Sequence, residues 1–173
     1  MSNNVEIYLL DTNSFTVPSR NYYAFDLVPS YWNELLKHIN SGRIVILDIV
    51  KSEIDVGKDN LSNWLSTANN LTIVTRVTPT TLTNYQKVIQ YISSCGLYKQ
   101  SAFDAWAQNN VADPWLIASS KANGFTLVTE EKPSGGLSVK NKNAFAKIPD
   151  VASNFGVKTI GLFEMMRSLG ISI

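Results

Sequence analysis

Short apolar runs alternate along this chain with stretches of helical spacing. Val5 to Leu10 is an apolar run flanked by polar residues, which predicts a first strand. It ends abruptly at Asp11-Thr12-Asn13-Ser14. Residues 14 to 28 are aromatic and irregular and predict a loop leading into a helix. Pro29 suits that helix's first turn, Trp32, Leu35, Leu36 and Ile39 recur at helical spacing, and Gly42 stops it. Arg43 to Leu47 reads as a second strand, and Asp48 as the cap of a helix that contains Glu53. Asn60 to Ala68 predicts a further helix. Leu71 to Val77 is either strand or connector.

The second half repeats the alternation. Thr80 or Thr81 is expected to cap a helix carrying Val88, Ile89 and Ile92, and Ala102 to Asn110 is expected to be helical. Asp113-Pro114 predicts an N-cap followed by proline at the first helical position, with Gly124 closing the helix. Phe125 to Val128 reads as a third clear strand and ends at Thr129-Glu130-Glu131. A Ser/Gly/Lys/Asn-rich loop runs from Lys132 to Asn143. Ile148-Pro149-Asp150 leads into a short helix, Val157 to Leu162 predicts a fourth strand, and Phe163 to Leu169 a closing helix. Strands alternating with helices predict a single α/β domain with a mostly parallel sheet of four to five strands.

Composition narrows the function. The chain has 173 residues, 45% hydrophobic and 17% charged, enough apolar material for one sizeable core. A net charge of +1 gives no global field for nucleic acid, so any basic surface must be local. Cys95 is the sole cysteine, which excludes an internal disulfide and fits a reducing compartment. No basic-then-apolar leader and no long apolar span is present, so a cytoplasmic chain that does not enter membranes is expected.

The chemistry lies in the acids. Asp11 follows the first strand, Glu53 lies in the helix after the second, Asp113 starts a helix, and Glu131 follows the third clear strand. Asp150 is a fifth. Taken singly, each has a structural role to hand: turn, helix cap, solvated helix face or solvated loop. Taken together, they would raise one another's pKa unless a cation neutralised them. Hard oxygen donors suit Mg²⁺ or Mn²⁺, and such ions promote phosphodiester cleavage. A single histidine, His38, and a single cysteine argue against zinc. Lys132, Lys140 and Lys142 stand in an acid-free loop that could hold RNA phosphates or simply face solvent. Trp32, Trp64, Trp106 and Trp115 read as core residues rather than base-stacking platforms.

The order and flanks of these acids resemble the PIN domain. The resemblance rests on Leu9-Leu10-Asp11-Thr12-Asn13, Ser52-Glu53-Ile54, Asp113-Pro114-Trp115-Leu116-Ile117-Ala118 and Leu127-Val128-Thr129-Glu130-Glu131. Phe25 to Trp32 and Lys147 to Asp150 look similar to an uncharacterised PIN-like subfamily. The resemblance implies a Rossmann-like sheet and a Mg²⁺- or Mn²⁺-dependent endoribonuclease. It further implies a VapC-type toxin with a cognate antitoxin, and admits a homodimer. Asp11, Glu53, Asp113 and Glu131 would be the catalytic and metal-binding acids, with Asp150 a further ligand. Asn13 and Thr129 would orient carboxylates or water. The family's pattern carries aspartate where this chain has Glu131, one methylene longer. Two other readings start from the same residues. One is a non-catalytic PIN-like interaction module. The other is a haloacid dehalogenase-type phosphatase, disfavoured because Asn13 stands where that chemistry needs a second acid.

Overall fold

The computed structural model describes residues 5–173. Five strands form one all-parallel sheet: β1 (Tyr8–Leu10), β2 (Ile44–Leu47), β3 (Ile73–Val74), β4 (Thr126–Val128) and β5 (Thr159–Ile160). Their order across the sheet is β3-β2-β1-β4-β5. The chain therefore steps outward from β1 through β2 to β3, then returns to lie on the other side of β1. The switch point falls between β1 and β4, where Leu9 pairs with Leu127 and Leu10 with Val128. In open α/β sheets the crevice at such a point, beyond the carboxyl ends of the strands, is where ligands bind.

The three inner strands are buried on both faces, which explains why they read as unbroken apolar runs. Helices cover the sheet: α1 (Asn13–Val17), α2 (Pro29–Asn40), α3 (Asp48–Gly57), α4 (Asn60–Leu65), α5 (Pro79–Ser94), α6 (Gln100–Trp106), α7 (Asp113–Asn123), α8 (Ile148–Asn154) and α9 (Leu162–Leu169). This is a single α/β arrangement of an all-parallel sheet flanked by helices. Trp32 stacks on Phe25 at 4.0 Å and meets Trp64 edge-on at 4.8 Å, while Trp115 stacks on Tyr85 at 3.8 Å. With Trp106 also buried, the tryptophans belong to the core.

Several expectations are corrected. Residues 13 to 22 are not loop: α1 leads directly into a π-helical turn, Pro18–Tyr22. Each piece spans five residues, too short to show a period. Thr78, not Thr80 or Thr81, caps α5, its hydroxyl accepting the Thr81 N–H, with Pro79 in the first turn. Asp48 lies inside α3 rather than capping it, and its carboxylate binds the guanidinium of Arg76 at 2.8 Å. Asp113 is likewise the first helical residue of α7, not its cap. Ala112 takes the cap position, and no side chain caps this helix. The Asp113 carboxylate is thereby released from the local role that the sequence suggested for it.

Candidate functional site

The end of β1 is a tight turn that aims Asp11 into the switch-point crevice. The Asp11 N–H continues the ladder to Val128 O at 3.0 Å, and the Ser14 hydroxyl also donates to Val128 O at 3.0 Å. Asp11 is 4% exposed, and its Oδ2 accepts the Thr129 hydroxyl at 3.1 Å. Burial pushes the Asp11 carboxyl up to about 6, with the negative charges of Glu131 and Glu53 adding to the rise. The Thr129 hydroxyl and the main-chain N–H of Asn13 oppose it. Thr129 thus stands where the sequence placed it. Asn13 reaches Asp11 through its backbone, and its side chain is exposed.

Asp113, at the start of α7, faces the same crevice. Burial pushes its carboxyl up to about 7, followed by the charges of Asp11, Glu131 and Glu53, with Lys147 pulling the other way. The charges of Glu53 and Glu131 thus act on both Asp11 and Asp113. Glu53 accepts the Thr12 hydroxyl, which ties α3 to the turn after β1. A cavity of about 520 Å³ opens beside Glu53 and is lined by Ile49, Ser52, Val56, Arg76, Asn109 and Asn110.

The remaining acids are tied to helices. Glu130 Oε1 accepts the Leu162 N–H at 2.9 Å and so caps α9. Glu131 Oε2 accepts the Ile148 N–H at 2.8 Å, and Oε1 accepts Lys147 Nζ at 3.0 Å. Neither is a solvated loop residue. Asp150 sits in the first turn of α8, where its Oδ2 accepts the Ser134 N–H at 3.0 Å, and it is not among the charges that shift Asp11 or Asp113. The structure does not bring Asp150 together with the other four. Lys132, Lys140 and Lys142 are exposed, and none forms an ion pair among the described residues. Lys132 shares a cleft of about 220 Å³ with Thr129 and Glu131.

Sequence reasoning missed the hydrogen bonds of Thr12 and Ser14, and it read Lys147 as one of the lysines of the basic loop, not as the partner of Glu131. Among the described residues no three acidic, histidine or cysteine side chains are already drawn into a metal-coordinating group. Asp11 and Asp113 offer hard oxygen donors, one Asp11 oxygen being shared with the Thr129 hydroxyl.

The family described as Domain of unknown function (DUF4411) matches residues 8–173. The chain belongs to this family. No curated protein matches it. Among solved structures, this DUF4411 chain is similar to VapBC2 from Rickettsia felis, bound to a DNA fragment from their promoter. The TM-score is 0.55 at 20% identity, covering 90% of this chain and 98% of that one. At that identity the likeness shows the fold. No helix among the described residues is long and apolar enough to cross a membrane.

Proposed function

We propose that this DUF4411 chain is a PIN-like nuclease of the toxin type, a Mg²⁺- or Mn²⁺-dependent endoribonuclease. The observation that carries the reading is the pair Asp11 and Asp113, desolvated at the β1/β4 switch point and acted on by the charges of Glu53 and Glu131. The carboxyls of this pair are pushed up to about 6 and about 7. Burying several carboxylates together is costly, and a divalent cation offsets that cost. When bound, such a cation polarises a phosphoryl oxygen and lowers the pKa of an attacking water.

The chain's own residues do the rest. Thr129 holds Asp11 in one orientation, and Thr12 holds Glu53 against the turn. The unpaired Lys132, Lys140 and Lys142 offer phosphate contacts that would position RNA without reading its sequence. The likeness to a VapBC2 assembly supports an antitoxin protein as partner. The haloacid dehalogenase reading is set aside, because Asn13 turns its side chain to solvent.

The test is incubation of the purified chain with a mixed-sequence single-stranded RNA. The expected result is internal cleavage with Mg²⁺ or Mn²⁺ and none in EDTA. Cleavage that persists in EDTA would remove the metal from the reading. Saturable Mn²⁺ binding without cleavage of any RNA would leave the fold serving as an interaction module.

A further inference from the structure

Phe145 is the most exposed aromatic residue among those described, at 70%. The segment that carries it is anchored on both sides. The Asn143 N–H donates to Leu97 O at 2.9 Å, and the Lys99 N–H donates to Asn143 O at 2.8 Å. The Asn143 side chain accepts the Phe145 N–H at 3.1 Å and donates to Ser134 Oγ at 3.1 Å. Ser101 Oγ donates to Ala144 O at 3.2 Å. Ala146 and Ile148 are buried, so Phe145 and Lys147 fall on the outer side of the segment. The ring is therefore held out in water by a fixed backbone.

A lone exposed phenylalanine is ordinary, but this one stands among cations. The Tyr98–Asn143 bridge brings Lys99 to the loop that carries Lys140 and Lys142. All three lysines are exposed, and none forms an ion pair among the described residues. Residues 94–103 and 132–149 contain no acid. The acids that border them are each engaged: Asp104 by Gln100, Glu131 by Lys147 and Asp150 by Ser134. The patch also adjoins Glu131. Phe145 is two residues from Lys147, at most about 7 Å of chain, and Lys147 Nζ lies 3.0 Å from Glu131 Oε1. Cations around an exposed ring suit a single nucleic-acid strand, whose phosphates take the lysines and whose bases stack on the ring. We infer that Phe145 is a base-stacking platform: one unpaired base of the RNA lies on its ring, and Lys99, Lys140 and Lys142 hold the flanking phosphates. The identity of the ligand rests on the ribonuclease reading above, and the patch itself needs no bound metal.

Fluorescence anisotropy of labelled RNA with the whole chain in EDTA, over a salt series, tests this without reference to turnover. Phe145→Ala should weaken binding of a single strand at least about fivefold, and Phe145→Trp should restore it. The salt slope of Phe145→Ala should match wild type, because no charge is lost. Lys99→Gln should instead flatten that slope by about 0.7 units, one phosphate contact's worth. A strand of abasic ribose phosphates should bind wild type and Phe145→Ala equally. Phe145→Ala that binds the intact strand as tightly as wild type, or that loses the abasic strand to the same degree, would overturn the platform and leave the patch to a different partner. Weakened binding by Phe145→Ala in a protein that cleaves no RNA with Mg²⁺ or Mn²⁺ would keep the platform and remove the nuclease. Metal-dependent cleavage with unaltered binding by Phe145→Ala would do the reverse. Wild type that binds no RNA even at low salt would overturn both.

Discussion

Asp11→Asn is expected to lower metal-dependent RNA cleavage by at least about a thousandfold, roughly 4 kcal/mol of transition-state stabilisation, without loosening the fold. Asp11 is almost wholly buried at the switch point and has no room to be replaced functionally by a neighbour. Asparagine keeps its shape, and the amide oxygen can still accept the Thr129 hydroxyl. What disappears is the charge. Because the wild-type carboxyl is raised to about 6, its ionised form is held at a cost above that pH, so the variant should melt no earlier than wild type at pH 7.5 without metal. Cleavage within tenfold of wild type by the correctly folded variant would remove Asp11 from the chemistry.

Asp113→Asn should stabilise the metal-free protein at pH 8 and leave it little changed at pH 4. The sign follows from linkage. The carboxyl titrates near 3.8 in the unfolded chain and at about 7 in the folded one. Between those values the folded state holds the extra proton, so stability falls as pH rises from about 4 through 7. Three units correspond to a ceiling of about 4 kcal/mol. A gain of roughly 1–3 kcal/mol in the variant at pH 8 is expected once relaxation is allowed for, or about 2–12 °C in Tm for a domain of this size. Added Mn²⁺ should raise the wild-type Tm at pH 8 and leave the variant's unchanged. A variant that melts earlier than wild type at pH 8 would show that Asp113 supports the helix rather than a cation.

The parts of this architecture that were legible in the sequence are those with local causes. β1, β2 and β4 are buried on both faces, so each appears as an apolar run, and the polar residues that end β1 and β4 mark the crevice. Asp11, Asp113 and Glu131 could be picked out because each lies at a strand end or helix start, whereas Glu53 lies inside α3 and carries no such mark. β3 stayed open between strand and connector, and β5 was recognised but drawn too long, because each keeps only two paired residues and the pairing partners are distant in the chain. Asp113 was mistaken for a cap because Asp-Pro is a strong helix-start signal, while the one-residue offset that frees its carboxylate is a tertiary outcome. The pairing of Lys147 with Glu131 was hidden for a related reason. Lys147 closes a loop whose other lysines face solvent, and its partner Glu131 lies 16 residues away. The Thr12–Glu53 bond spans 41 residues, and nothing in either neighbourhood announces it.

Calorimetric titration of the whole chain with Mn²⁺ at pH 6.5, repeated in buffers of different ionisation heat, is the most direct test of the acidic centre. At that pH Asp113 is mostly protonated and Asp11 partly so. A cation that takes both carboxylates must therefore expel roughly one proton as it binds. The account predicts saturable binding at sub-millimolar Mn²⁺ with that proton release, and its loss in Asp113→Asn. Binding with no proton release, or no saturable binding up to millimolar Mn²⁺, would contradict a metal held by these residues.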